Sequence, residues 1–165
     1  MLINRRWMVL GLACLLSACF SAIDADLPDL PFTQLDGSQH RTSAFKGKVT
    51  VINFWATSCS TCVKEMPEIA ATHQRFQAQG LETLAVAMSY DPPAYVMQFA
   101  QSRQLPFRVA IDHDGSLAKA FGQVELTPTT LVFNREGHIV KRYVGEPDFA
   151  AMHKLIAQLL AKPAA

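Results

Sequence analysis

Three observations predict an α/β chain with a mixed central β-sheet, flanking helices and an N-terminal β-hairpin extension. Runs rich in β-branched and aromatic residues alternate with stretches whose apolar residues recur at helical spacing, the pattern of strands joined by crossover helices. The tight turn Asn134-Arg135-Glu136-Gly137 separates the last two such runs and an amphipathic stretch follows, so a hairpin and a helix close the chain. The 165 residues, 50% of them hydrophobic and 18% charged, suffice for one core without staples, and no internal repeat or low-complexity tract divides them.

The elements follow in chain order. Leu30 to Leu35, the turn Asp36-Gly37 and then His40-Arg41 predict the N-terminal hairpin. Lys48 to Trp55 (KVTVINFW) reads as a buried strand. Beyond it Cys62, Met66, Ile69, His73 and Phe76 lie on one face of a helix that stops at Gly80. Glu82 to Met88 is the next strand. Pro92-Pro93 opens a helix through about Arg103 with Tyr95, Val96, Phe99 and Ala100 on its apolar side. Phe107 to Ile111 is a third strand, and Asp112 to Gly115 turns into a short helix ending near Phe121-Gly122. Thr129 to Phe133 and His138 to Val144 form the terminal hairpin, and Phe149 to Leu160 the last helix.

The formal net charge of +1 provides no clustered basic surface for nucleic acid. The first residues read as an address. Arg5 and Arg6 precede an apolar run from Trp7 to Leu16, too short for a membrane-spanning helix, which needs roughly 20 residues. Leu16-Ser17-Ala18-Cys19 looks like a bacterial lipobox, which makes residues 1–18 a lipoprotein signal peptide and Cys19 the lipidated mature N-terminus. The plainer alternative is ordinary signal cleavage nearby, with Cys19 a leftover thiol. The arginine pair matches a twin-arginine signal only weakly, given Asn4 and Trp7 around it. Residues 19–26 then form a lipidated tether and 27–162 the folded domain. Without residues 1–18 the chain has thirteen basic and fourteen acidic residues, a formal charge of −1, so its surface argues for no charged partner.

Cys14 leaves with the signal peptide and Cys19 goes to the anchor, so Cys59 and Cys62 are the thiols that remain, a CxxC in an exported protein. The pair lies where a buried strand runs into a helix. Cysteines three apart on a first helical turn can close a disulfide with little backbone movement. Cys59, at the helix N-terminus, meets unpaired N–H groups and the positive end of the dipole, which favour the attacking thiolate. Cys62, one turn in, suits a resolving thiol. Two other readings stand beside a redox-active pair. A zinc half-site would need two further ligands, and His40, His73, His113, His138 and His153 have no close ligand spacing. A purely structural disulfide is the other.

At these residues the chain resembles the thioredoxin-fold thiol–disulfide oxidoreductases of the TlpA/ResA type, within the AhpC/TSA-redoxin superfamily, which are exported and usually membrane-tethered. Three separated features carry the resemblance, which spans 27–162: NFWATSCSTC around the cysteines, Pro67 five residues after Cys62, and LTPTTLVF over Leu126 to Phe133. The resemblance implies a thioredoxin-like fold and a cis peptide bond before Pro128, in a loop packed on the CxxC pair. It also implies that the Thr127 backbone pairs with an extended substrate segment. Trp55 matches a common tryptophan of the family, and at the end of a strand it either shapes the substrate surface or belongs to the core. No cofactor and no metal is implied. The partners implied are disulfide-containing exported proteins and a membrane thiol electron donor, with reduction as the favoured direction, on the periplasmic side of the cell envelope. Reduction of an apocytochrome's haem-binding cysteines is one family task among several.

Two departures matter. Thioredoxin itself carries a buried acid where Asn53 stands, and an amide cannot exchange the proton. Glu65 instead matches a glutamate of ResA-like members, about 60° from the centre of the helix's apolar stripe, where partial burial would raise its pKa and let it shuttle a proton for Cys62. The family often has tryptophan at Ser58 and proline at Thr61, so the redox poise of the pair stays open. A thiol peroxidase is an alternative, but Thr57 and Ser58 do not reproduce the spacing its peroxidatic cysteine requires. A copper-binding or chaperone module on the same fold is another, although such proteins typically place three residues between their cysteines and add a histidine.

Overall fold

A computed structural model describes residues 26–163. The expected signal peptide, Cys19 and the expected tether through residue 25 lie outside the described residues. The tether expected over 19–26 ends inside the fold, because Asp26 forms an isolated bridge with His138 and its Oδ1 lies 2.6 Å from His138 Nδ1.

Strands β1 (Pro31–Thr33) and β2 (Gln39–Arg41) form the expected antiparallel hairpin. The main sheet contains β3 (Val49–Trp55), β4 (Leu81–Ala87), β5 (Arg108–Ile111), β6 (Thr129–Phe133) and β7 (Ile139–Val144), in the order β5-β4-β3-β6-β7. β3, β4 and β5 run parallel, whereas β6 and β7 add antiparallel, which makes the sheet mixed. Helices α1 (Ser60–Phe76), α2 (Pro93–Ser102), α3 (Ser116–Ala120) and α4 (Phe149–Leu160) fill the connections and close the chain.

All seven residues of β3 are buried, because helices or the hairpin cover both faces of the sheet. Its alternate residues divide between two cores. Val49, Val51 and Trp55 pack with Met66, Ile69 and Phe76 of α1, Val96 of α2, and Met152, Ile156 and Leu159 of α4. Ile52 and Phe54 face the other way, towards Phe32 of the hairpin, Phe45, and Leu117 and Phe121 in and after α3. After α1 a short 3-10 turn, Gln77–Gln79, leads into Gly80, whose φ of 101° supplies the left-handed stop.

One expectation on α2 is corrected. Tyr95 is 61% exposed rather than on the apolar side. The helix is held by buried Val96 and by Phe99 and Ala100, which pack partly against the core, and Tyr95 lies about 100° round the helix from Val96.

Candidate active site

β3 leads directly to the chemistry. Its last residue, Trp55, is followed by Ala56-Thr57-Ser58, and Cys59 is the N-cap of α1. The Cys59 N–H donates to the Ala56 carbonyl (3.1 Å), closing the turn. Cys59 Sγ accepts from the Cys62 N–H at 3.1 Å, so the sulfur takes the role that a serine or aspartate oxygen plays at other helix N-caps. That contact and the helix dipole both favour negative charge on Cys59. Cys59 and Cys62 form a disulfide, with Cα atoms 5.2 Å apart. The two sulfurs are not equivalent: Cys59 is half-buried between exposed Ser58 and Ser60, and Cys62 has no exposed surface. Pro67 stands inside α1, where it has no N–H to offer the preceding turn.

A second loop reaches the same end of the sheet. Phe54 of β3 is opposite Thr129 of β6, so the residues just before β6 lie beside the end of β3 that feeds the cysteine loop. The Thr127–Pro128 peptide bond is cis. The Pro128 carbonyl accepts from the Gly145 N–H (2.8 Å), and Thr129 Oγ1 donates to the Leu126 carbonyl (2.7 Å). Thr127 is half-buried, and among the described residues its main chain makes no hydrogen bond. The loop is therefore tied at both ends with a free peptide edge between them.

Beneath the disulfide lies a buried polar triad. Glu65 lies one turn beyond Cys62 on α1 and is 1% exposed. Asn53 of β3 donates through Nδ2 both to Glu65 Oε1 (3.0 Å) and to Thr130 Oγ1 of β6 (2.9 Å). Asn53 Oδ1 and Glu65 Oε2 are buried without a hydrogen-bond partner. Burial pushes the Glu65 carboxyl from its ordinary 4.5 up to about 7; the Asn53 bond pulls it down and the nearby charge of Glu146 adds to the rise. The helical wheel puts Glu65 at the edge of the apolar stripe, whereas the structure buries it. Asn53 and Thr130 reach it from two neighbouring strands, a contact no helix-only projection contains.

Of the two readings of Trp55, the structure supports core. The side chain has no exposed surface, its ring lies 5.0 Å from that of Phe99, and its Nε1 is buried without a partner. A side chain enclosed by the core cannot touch a substrate, so Trp55 supports the cysteine loop from below rather than shaping the surface. The sequence reading also missed Asp91 and Tyr90. Asp91 is 2% exposed and accepts from both Thr57 N–H (2.6 Å) and Thr57 Oγ1 (2.5 Å). Tyr90 is 58% exposed, with its hydroxyl 3.3 Å from Thr127 Oγ1. These contacts join residues 34 and 37 positions apart, and no local pattern signals them. Among the described residues no group of three or more His, Cys, Asp or Glu side chains is placed to hold a metal ion.

A CxxC at a strand-to-helix junction, beside a cis-proline loop at the same end of a mixed five-stranded sheet, defines a thioredoxin-like thiol–disulfide oxidoreductase. Residues 22–156 match the family model described as Redoxin, and the chain belongs to that family. It is 34% identical over 124 residues to the thiol-disulfide oxidoreductase ResA of Geobacillus thermodenitrificans, covering 75% of this chain and 70% of that protein. With the protein of the same name from Bacillus subtilis it shares 33% identity over 129 residues, 78% of this chain and 71% of that one. A solution structure of a putative thioredoxin from Neisseria meningitidis superposes with a TM-score of 0.76 at 37% identity, over 82% of this chain and 89% of that one.

Proposed function

We propose that this oxidoreductase works outside the cytoplasm, anchored to the membrane through a lipid on Cys19, and reduces disulfides of other exported proteins. Cys59 attacks as the thiolate, forms a mixed disulfide with one substrate sulfur and expels the other as a thiolate. Cys62 gives its proton to Glu65 and attacks Cys59 Sγ, releasing the second substrate sulfur. The substrate gains the dithiol's two electrons, its two thiolates take up one proton from Glu65 and one from water, and the enzyme is left as the Cys59–Cys62 disulfide. A membrane thiol donor then returns the pair to the dithiol. Thr127 and Pro128 align the substrate, the free main chain of Thr127 pairing with an extended segment.

The observation that carries this reading is the asymmetry of the pair, with Cys59 half-buried on a helix N-cap and Cys62 fully buried behind it. Glu65 supports it, because a carboxyl with a pKa of about 7 and an unpartnered oxygen, one turn from Cys62, suits proton transfer at neutral pH. Among the described residues no helix is long and apolar enough to cross a membrane. Reduction of apocytochrome cysteines is one task that fits this chemistry.

The test is the reduction potential of the pair, equilibrated against defined thiol buffers. A value at or below about −250 mV supports a reductase, whereas a value near ~−120 mV would reverse the direction.

A further inference from the structure

The buried carboxylate of Asp91 has no part in the exchange steps above, yet its contacts end on the turn that carries the nucleophile. Asp91 is 2% exposed. Both its oxygens are taken by one residue, Thr57, through the main-chain N–H at 2.6 Å and the hydroxyl at 2.5 Å. Among the described residues no cation pairs with it, and a buried carboxylate in that position is held by strong hydrogen bonds; these are short and charge-assisted.

The other end of the contact is equally fixed. Asp91 N–H donates to the Met88 carbonyl (2.9 Å), and Met88 N–H to the Trp55 carbonyl (3.0 Å), so the turn after β4 is stitched to the last residue of β3. Asp91 therefore closes a ring: Trp55 to Met88, Met88 to Asp91, Asp91 to Thr57, and back along the chain. Inside that ring are Ala56 and Thr57, and two residues beyond it is Cys59. Apart from this clamp, the hydrogen bond from Cys59 N–H to the Ala56 carbonyl is what holds the turn.

We propose that Asp91 is a positioning residue for Cys59: by fixing both the amide and the side chain of Thr57, it sets the Ala56–Ser58 turn so that the Cys59 sulfur rests on the Cys62 N–H. The neighbouring residue extends the brace. Tyr90 points outward with its hydroxyl 3.3 Å from Thr127 Oγ1, so one turn holds the nucleophile's loop through Asp91 and the cis-proline loop through Tyr90.

This inference rests on Cys59 being the attacking thiol. The test uses the full-length reduced protein and 5,5′-dithiobis(2-nitrobenzoate) as a small disulfide that needs no docking surface. Thiolate absorbance near neutral pH is read in parallel. Thr57→Val keeps the Asp91 charge and the main-chain contact but removes the hydroxyl bond. It lowers the thiolate fraction because the sulfur leaves the helix N-cap, and the attack slows in step, by about tenfold. Thr57→Ser restores both readouts, and Asp91→Ala is slower than Thr57→Val. Equal rates and equal thiolate fractions for the wild type and Thr57→Val would overturn the proposal. So would a rise in thiolate fraction in Asp91→Ala with Thr57→Val unaffected, since Asp91 would then act only as a charge. If Asp91→Ala does not fold, the Val and Ser pair at Thr57 decides alone. A Cys59→Ser chain that still reacts as fast as the wild type would instead overturn the nucleophile assignment.

Discussion

At Glu65 a single side chain couples folding to pH. Its carboxyl titrates at about 7 in the folded, oxidised protein against an ordinary 4.5, so the fold binds this proton more tightly than the unfolded chain does. The difference corresponds to about 3 kcal/mol. The sign follows from which state holds the proton: the contribution is fully present below pH 4.5 and is lost as pH rises through about 7. Glu65→Gln keeps the Asn53 hydrogen bond and removes the titration. Urea unfolding of the oxidised variant is therefore expected to show less loss of stability between pH 5 and pH 8 than the wild type, with Glu65→Gln the more stable of the two at pH 8. Identical pH slopes would show that the Glu65 proton is not linked to folding. Asn53 also shows how partly this site was legible. Its amide type and its place before the cysteines are visible in the chain. That its Nδ2 joins Glu65 of α1 to Thr130 of β6 is a tertiary fact, set by residues 12 and 77 positions away.

Among the elements, those with a strong internal pattern were legible and those defined by partners were not. β3 reads as buried because its β-branched and aromatic run has no polar alternation, and all of it is buried. α1 reads from its i, i+4, i+7 residues, and Cys62, Met66, Ile69, His73 and Phe76 are all buried as expected. α2 was misjudged at Tyr95 because a ten-residue helix at the rim of the sheet buries only Val96 fully, a narrower stripe than its composition suggests. α4 supports the sheet face that α1 also covers, through Met152, Ile156 and Leu159. Its start depends on Asp148, whose Oδ1 accepts from the Ala151 N–H at 3.0 Å. Asp148→Ala leaves that N–H without its cap and is expected to destabilise the fold by about 1 kcal/mol. The loss appears as a lower urea midpoint with an unchanged m-value, and no change in midpoint would remove the cap from the stability account.

Across the whole molecule the two poles of the sheet do different work. Trp55, Thr129 and Val144 mark one end of their strands, where the cysteine and cis-proline loops converge. Val49, Phe133 and Ile139 mark the other. Asp26, the first described residue, bridges to His138 beside Ile139, so the chain enters at the pole opposite the cysteines. A seven-residue strand separates the poles by about 23 Å. Seven residue steps join Cys19 to Asp26, a reach of at most about 25 Å. If Cys19 carries the proposed lipid, the anchor joins the fold at the pole opposite Cys59, and the site's electrostatics are independent of it. Cys19→Ser is accordingly expected to move the protein from the membrane fraction to the soluble extract while the reduction potential of Cys59 and Cys62 stays that of the wild type. Persistence in the membrane fraction would refute the lipid anchor. A shifted potential in the released protein would refute the separation of the two poles, because the dithiol would then sense an attachment at the far end of the sheet.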